Sequence, residues 1–210
     1  MAEEPTPQTL TPGARKILEA ASRLFYERGI TAVGVDLVAR EAGVTKKTLY
    51  DRFGSKEALV TAYLRERDAR WRRWFTATVE EGAAEPAERL AGTFDALGAW
   101  MRRENPRGCG FVNAAAELPD PGHPARAVIE DQKRWLRGYL RELSAAAGAD
   151  APDRLADELL LLHEGATVLG GLHLTGDPAA TARSLALRAL EHAGCAPAEQ
   201  NGPRRRLGRA

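Results

Sequence analysis

Apolar residues recur along almost the whole chain at the spacing of α-helices. In the first segment the apolar residues lie one, three or four positions apart along the chain. They are Ile17, Leu18, Ala21, Leu24 and Phe25. No run of alternating apolar and polar residues reaches the length of a strand, and no Asn-Gly hairpin signal occurs. The pattern therefore predicts an all-α fold of about nine helices.

Capping residues and helix breakers divide this pattern into segments. Thr11 can cap the first helix, Pro12 suits its first position, and Gly29 ends it. Similar signals predict eight further helices, at about 35–42, 45–53, 55–80, 86–104, 107–117, 124–148, 152–174 and 178–193. The longest apolar stretch, 159–174, is interrupted by ionisable residues, so it predicts a buried helix and no membrane span.

Charge is distributed unevenly, although the 210 residues carry a net charge of only +1. Segment 11–70 holds 12 basic and 8 acidic side chains, whereas segment 71–203 holds 14 and 19. A basic first part on an acidic body is typical of a protein that contacts an anionic polymer with one end. Hydrophobic residues make up 44% of the chain, which excludes a wholly disordered protein.

The chain ends and the cysteines indicate the compartment. The acidic residues 1–10 lack the apolar core of a signal peptide, so we expect a disordered arm there and a disordered basic tail at 197–210. Cys109 and Cys195 are the only cysteines, too few for a disulfide scaffold and without the spacing of a metal site. We therefore predict a cytoplasmic protein that has no cofactor and no metal.

Two short helices joined by Ala42-Gly43-Val44 are the strongest functional signal. A helix-turn-helix needs a tight turn, and glycine accepts the positive φ required there. The second helix of the pair begins with four polar residues, Thr45, Lys46, Lys47 and Thr48. This end of a recognition helix faces base edges in the major groove, where lysine can donate to guanine and threonine can donate or accept. Lys56 starts the next helix and is suited to bind a phosphate.

Taken singly, these residues have ordinary interpretations, because lysines usually lie on a solvated face and Tyr50 and Phe53 would suit a core. Their order is specific, and residues 14–60 resemble the DNA-binding head of the tetracycline-repressor (TetR) family. The matching landmarks are Ala20-Ala21, Leu24-Phe25, Gly29, Ala39, Ala42-Gly43-Val44, Thr48-Leu49-Tyr50 and Phe53-x-Ser55-Lys56-Glu57. The resemblance implies a three-helix helix-turn-helix head at 11–54, and a helical body for effector binding and dimerisation at 55–196.

The resemblance also implies partners and residue roles. The base-reading residues would be Thr45, Lys46, Lys47 and Thr48. Tyr50 and Lys56 would contact phosphates, with Thr31 helping near the end of the first helix. A homodimer would place two recognition helices roughly 34–36 Å apart on a palindromic double-stranded operator.

The body diverges within this family, so its candidate residues come from the chain itself. Aromatic and apolar residues with a few polar neighbours could line a mid-sized cavity for a small-molecule effector, or could simply form the core. The candidates are Phe94, Leu97, Trp100, Met101, Phe111, Asn113, Glu117, Trp135, Tyr139, His163, Glu164 and Thr167.

Two features of the body could act as sensors. His163 and Glu164 lie in the most apolar helix and need partners if buried, so they could be structural or could contact a ligand. A catalytic metal is a poor interpretation, because the segment HEGAT lacks the second histidine of a zinc-protease helix. Cys109 stands at a predicted helix start, where a thiolate is stabilised, so redox sensing is an alternative to packing.

The last two helices predict a dimer interface. Their small residues permit close approach and their leucines supply buried area, so that two helices from each subunit would form a four-helix bundle. The candidates are Leu162, Leu169, Gly170, Leu172, Ala182, Leu185, Ala186 and Ala189.

These observations favour a repressor relieved by its effector, with the long fourth helix as the lever between body and head. Two alternatives remain: a ligand-independent DNA-binding protein, and an all-α carrier or enzyme of small molecules. No nucleophile–base arrangement, paired-carboxylate site or phosphate loop stands out in the sequence, so we predict no catalytic residue and no enzymatic activity.

Overall fold

The computed structural model describes residues 10–104, 106–174 and 176–195. These residues form nine α-helices and no strand, which confirms the predicted fold class. The helices are α1 (Pro12–Arg28), α2 (Val35–Glu41), α3 (Lys46–Phe53), α4 (Lys56–Gly82), α5 (Pro86–Glu104), α6 (Gly110–Glu117), α7 (Pro124–Ala146), α8 (Pro152–Gly171) and α9 (Pro178–His192). The predicted basic tail, and the predicted arm except Leu10, lie outside the described residues.

Side-chain caps fix the starts of α1, α3 and α4. The hydroxyl of Thr11 accepts from the Ala14 N–H at 3.3 Å, and that of Ser55 accepts from the Ala58 N–H at 3.0 Å. Such caps satisfy backbone donors that have no partner within the first turn of a helix. Helix starts were therefore predicted to within one or two residues in this part of the chain.

Two helices are shorter than predicted. Helix α6 begins at Gly110 and not at 107, because residues 107–109 form a link that contacts α1 and in which Gly108 adopts a positive φ of 76°. Helix α8 ends at Gly171 and not at 174, where His173 adopts a positive φ of 54° and interrupts the helical hydrogen bonds.

Two hydrophobic cores lie along α4, whose 27 residues span about 40 Å. Leu59 and Leu64 belong to the first core, which α1, α2 and α3 build together with α6 and the beginning of α7. Phe75 and Val79 belong to the second core, which α5, α7, α8 and α9 complete. The first core therefore includes residues of both the head (11–54) and the body (55–196), and α4 connects it to the second.

The prediction that 159–174 is a buried helix is correct for one face only. Leu159 and His163 are buried against the second core. Leu161 and Leu172 are 75% and 60% exposed on the opposite face of this stretch. The helix is thus apolar on both sides, and one side is uncovered in the single chain.

Candidate nucleic-acid interface and effector cavity

The recognition helix α3 has one anchor and otherwise presents polar groups to solvent. Leu49 is its only buried residue and packs into the first core. The turn before α3 contains Gly43 at φ 66°, in open space, so the backbone conformation and not crowding requires glycine there. The anchor and the turn hold the start of α3 outward, as a helix that enters the major groove requires.

The four predicted base-reading residues lie together at the start of α3. The Thr45 hydroxyl accepts from the Thr48 N–H at 3.1 Å and lies 2.8 Å from the Thr48 hydroxyl. Lys46 Nζ lies 3.0 Å from a carboxylate oxygen of Asp36, and Lys47 Nζ lies 2.8 Å from one of Asp51. The hydrogen bond and charge of Asp36 raise the pKa of Lys46.

Neither carboxylate was among the residues predicted from the sequence. The Lys47–Asp51 pair follows the i,i+4 rule and was accessible from the sequence. The Lys46–Asp36 pair joins two helices, so only the fold reveals it. Both lysines are exposed enough to exchange these partners for DNA.

The three remaining predicted DNA contacts divide into two groups. Tyr50 is 40% exposed on α3, and Lys56 is partly exposed at the first position of α4. Thr31 is exposed after α1, and its backbone N–H donates to Glu117 Oε2 at 2.7 Å. Thr31 therefore lies where the head contacts α6, in addition to any contact that it makes with DNA.

A cavity of about 30 Å³ lies in the body, among α4, α5, α6, α7 and α8. Six predicted pocket residues line it, namely Leu97, Trp100, Phe111, His163, Glu164 and Thr167. The other lining residues are Arg67, Trp71, Cys109, Gly110, Gln132 and Lys133. This volume holds about two water molecules, whereas pockets for drug-sized ligands measure roughly 300–1,000 Å³.

Six predicted pocket residues do not line this cavity, and three of them are aromatic residues of the core. Phe94 is buried with its ring centroid 6.2 Å from that of His163. Trp135 and Tyr139 stack at 5.4 Å on neighbouring turns of α7 and cover the second core. They do not line this cavity because aromatic pairing turns them towards one another and the core, and their contact with an effector stays a prediction.

The other three have their own partners outside the cavity. Met101 packs against Gly170 of α8. The Asn113 side chain donates to the carbonyl oxygen of Arg107 at 3.0 Å, and Glu117 accepts from Thr31. The two polar residues of α6 thus hold the backbone around that helix and do not face the cavity.

An ion pair and a thiol form one polar side of the cavity. Lys133 Nζ lies 2.7 Å from Glu164 Oε1 and 3.5 Å from Cys109 Sγ. Burial favours the neutral amine of Lys133, but Cys109 and Glu164 outweigh it, so its pKa is raised and it stays charged. The partner that Glu164 required is therefore Lys133, which the sequence did not suggest.

Two other polar side chains of the cavity are buried without hydrogen-bond partners among the described residues. They are Gln132, through Oε1, and His163, through both ring nitrogens. Burial, followed by the charge of Lys133, lowers the pKa of His163 to about 3, so the ring is neutral near pH 7. A buried polar group without a partner is costly, which makes these atoms the natural contacts of a bound molecule.

The link between α5 and α6 contacts the head, the cavity and α8 together. The Tyr26 hydroxyl accepts from the Arg107 N–H at 2.9 Å and donates to the Gly108 carbonyl at 3.0 Å. The guanidinium of Arg107 donates to the carbonyl oxygens of Tyr26 and Glu27 at the end of α1. A Cβ on Gly171 would lie 2.6 Å from the Gly108 backbone, so α8 and the link are in close contact.

An apolar face of α8 and α9 is exposed in the single chain. Its members are Leu161, Val168, Leu169, Leu172 and Leu185, each at least 40% exposed. Three of them were predicted interface residues, whereas Leu161 and Val168 were missed.

Five other predicted interface residues face their own chain. Ala182 and Ala186 are buried in the second core, and Leu162 and Ala189 pack against it. Gly170 accommodates Met101 of α5. Small residues here allow α9 and α5 to approach α8 within the chain, and the place of these five residues in a dimer interface stays a prediction.

Neither a membrane span nor a metal cluster is found in the part of the chain that the structure describes. No described helix is long and apolar enough to cross a membrane. No group of three or more His, Cys, Asp or Glu side chains is placed to hold a metal ion among the described residues.

The sequence and the fold were compared with known proteins. Residues 17–63 match "Bacterial regulatory proteins, tetR family", and residues 86–186 match "Tetracyclin repressor-like, C-terminal domain". An uncharacterised HTH-type transcriptional regulator of Mycobacterium tuberculosis is 32% identical over 162 residues, which cover 68% of this chain and 80% of that protein.

Two further proteins that match most of the chain are also transcriptional regulators. The HTH-type transcriptional repressor DhaR of Mycobacterium sp. strain GP1 is 27% identical over 163 residues, covering 74% of this chain and 81% of DhaR. The crystal structure of a TetR-family transcriptional regulator from Streptomyces coelicolor superposes with a TM-score of 0.75 at 31% identity, covering 86% of this chain and 93% of that one.

Proposed function

Because the chain belongs to the tetR family of bacterial regulatory proteins and is a DNA-binding transcriptional regulator, we propose that it is a homodimeric repressor that a small-molecule effector releases from a palindromic operator. The head at 11–54 binds DNA, and the body at 55–196 dimerises and binds the effector. The protein acts in the cytoplasm, on double-stranded DNA.

The start of α3 is the observation that supports base recognition most directly. Thr45, Lys46, Lys47 and Thr48 form one polar surface, held from behind by the buried Leu49. Tyr50 and Lys56 flank it and contact phosphates, and Thr31 contributes at the edge of the head. Base contacts set the operator sequence, whereas phosphate contacts set affinity and position.

The exposed apolar face of α8 and α9 supports dimerisation. Five large aliphatic side chains in one patch are unusual on a monomer and are typical of a protein interface. Members of this family dimerise through the C-terminal domain. A two-fold pair of heads then reads a two-fold symmetric DNA site.

The link at 107–109, together with the first residue of α6, supports control of the head by the effector. Cys109 and Gly110 line the cavity, while Arg107 and Gly108 are bonded to Tyr26 in α1. An effector that enlarges the small cavity displaces this link and α4, and so favours a head spacing that fits the operator less well. The loss of affinity equals the effector's preference for that second state.

Two lysine variants of the full chain test the DNA surface. Lys47→Ala removes a base contact and should weaken binding to the preferred duplex by about 1–3 kcal/mol, with little change for random DNA. Lys56→Ala removes a phosphate contact and should weaken binding to both, lowering the slope of log affinity against log salt by about one. Fluorescence anisotropy of labelled duplexes over a salt titration measures both effects.

Arg154→Ala is the matched control, because Arg154 lies on the exposed surface of α8 and pairs only with Glu158 among the described residues. This control should bind like the unaltered chain. If Lys47→Ala and Lys56→Ala also bind like it at every salt concentration, the proposed DNA surface is wrong.

A further inference from the structure

We propose that Cys109 is a site of covalent modification by small soft electrophiles, such as α,β-unsaturated carbonyl compounds, and that the adduct releases the regulator from DNA. This proposal rests on the proposed function and specifies one chemical class of effector. The observations concern the thiol, the cavity around it and the link in which it lies.

The two thiols of the chain differ in reactivity. Cys109 is free and partly exposed, stands at the cap position of α6, and lies 3.5 Å from the ammonium of Lys133. Reactive cysteines lie in partly exposed surroundings next to a cation, and Cys109 lies in such a place. Cys195 is buried, and its pKa is raised by burial and by the charge of Asp150. Electrophiles should therefore select Cys109.

The cavity beside Cys109 offers contacts for the carbonyl group of such a molecule. Gln132 is 3% exposed and His163 is 4% exposed, and both line the cavity with polar atoms that lack partners among the described residues. The N–H of the neutral His163 imidazole can donate to the carbonyl oxygen of the molecule, and Gln132 Oε1 can accept from an N–H or O–H group of it. Trp71 and Trp100 supply apolar walls for the rest of a small molecule.

The size of the cavity favours a covalent ligand over a non-covalent one. About 30 Å³ accommodates only a few atoms without rearrangement. A small molecule with so few contacts binds weakly, since even the best ligands gain about 1.5 kcal/mol per non-hydrogen atom. A carbon–sulfur bond removes that limit, because the adduct remains after the reagent has left solution.

The reaction is a conjugate addition, in which the thiol adds across a carbon–carbon double bond. The Cys109 thiolate attacks the β-carbon, so an S–C bond forms and the C=C π bond breaks. The α-carbon then takes up one proton, which balances the one proton that the thiol lost. No oxidant, reductant or leaving group is required, and Lys133 acts as a positioning residue whose ammonium donates to the Cys109 sulfur.

An adduct at Cys109 acts directly on the link to the head. Gly110, the next residue, has Arg67 Nε 2.8 Å from the position of a Cβ, so little space is available on that side. Gly108, the preceding residue, is held by Tyr26 and lies against Gly171. Added atoms on the Cys109 side chain must therefore displace this link or the walls of the cavity, and the link carries the displacement to α1.

The test exposes the full chain to acrylamide, a small neutral conjugate acceptor, and to propionamide, its saturated counterpart. Intact and peptide mass spectrometry should find one acrylamide adduct, on Cys109, and none from propionamide. Anisotropy with a duplex selected by the unmodified chain should show at least about tenfold weaker binding for the adduct, within the usual range of allosteric coupling. Propionamide should leave that affinity unchanged.

Variants assign the effect to particular side chains. Cys195→Ser should respond like the unaltered chain, whereas the affinity of Cys109→Ser should be the same before and after acrylamide. Lys133→Met should slow adduct formation by about tenfold, and Lys133→Arg should restore most of the rate, since it keeps the charge.

Three results would overturn the proposal: preferential reaction at Cys195, an unchanged rate in Lys133→Met, or a Cys109 adduct that binds the duplex normally. Failure of the proposed function looks different, since the unmodified chain would then select no duplex at all.

Discussion

The proposed DNA-binding surface of α3 and the cavity of the body differ in the exposure and the pairing of their polar side chains. On α3 the polar side chains are exposed and already paired, as Lys47 is with Asp51. In the cavity, Gln132 and His163 are buried and lack partners in the described part of the chain. The pairs on α3 are weak enough to be exchanged for DNA, whereas the cavity holds polar atoms that only a bound molecule or water can satisfy.

The two sites therefore differ in the free energy that binding a partner would cost or gain. Exposed ion pairs contribute at most about 1 kcal/mol each, so α3 gives them up at little cost and needs only a rigid anchor. Each unsatisfied buried group costs about 1–3 kcal/mol, so the cavity is destabilised until it is filled. The proposed DNA surface can therefore bind at little cost in free energy, whereas filling the cavity would stabilise the body.

The largest effect is expected from a substitution that removes the anchor of α3. Leu49→Ala should lower the free energy of unfolding by about 2–5 kcal/mol, because it leaves a cavity in the first core. Urea denaturation followed by circular dichroism measures this loss. Lys47→Ala should unfold like the unaltered chain, and a stable Leu49→Ala variant would show that α3 is not held as described.

The second effect concerns the contact between α8 and the link. Gly171→Ala should destabilise the fold by about 3 kcal/mol, because its Cβ meets the Gly108 backbone at 2.6 Å. Gly138→Ala is the control in α7, where a Cβ has nothing within 4 Å; it should be neutral or gain up to about 1 kcal/mol. Equal melting temperatures for the two variants would exclude the close contact.

The third effect is a pH dependence of stability that the buried His163 of the cavity should cause and that the exposed polar groups of α3 should not. Because the pKa of His163 is about 3 in the folded chain and about 6.5 when unfolded, the unfolded state binds one more proton between these values. This group therefore destabilises the fold as the pH falls below about 6.5, by roughly 2 kcal/mol at pH 5.

His163→Leu lacks this contribution, so its stability advantage over the unaltered chain should grow by roughly 2 kcal/mol between about pH 7.5 and 5. Urea titrations at the two pH values measure it. An advantage that does not change with pH would mean that His163 is solvated or paired.

The smallest effect tests the junction between the two regions. Tyr26→Phe removes the hydroxyl that bonds to Arg107 and Gly108 and should cost about 1 kcal/mol of stability. Its response to acrylamide in the duplex assay should also be smaller, because the link is no longer fastened to α1. Tyr139→Phe removes a hydroxyl that has no hydrogen-bond partner among the described residues, so this control should keep the full response.

Much of the head could be predicted from the sequence, because local signals determine it. Thr45 and Ser55 cap their helices, and Gly43 forms the turn, as their residue types indicate. The helices of the body were predicted for the same reason. Side-chain direction was harder to predict: Trp135 and Tyr139 have the composition of a pocket wall but stack on the core.

The cavity could be predicted only in part, because its lining comes from five helices. Lys133 had one available signal, since it is the only lysine after residue 56 and stands in a segment otherwise rich in arginine. Arg67 had none, because a charged residue on a long helix usually faces solvent, and here it is 5% exposed. Some residues of the exposed face of α8 were missed, because a stretch that is apolar on both sides has no periodicity to identify its inner face.

The central claim is that the start of α3 reads DNA as one half of a two-fold pair. Selection of duplexes from a random library by the full chain, with sequencing of the bound fraction, tests it most directly. We expect a palindrome whose half-sites are centred about one helical turn apart, and Lys47→Ala should relax the preference at one symmetric position in each half. Enrichment without two-fold symmetry, or the same preferences from Lys47→Ala, would contradict the account.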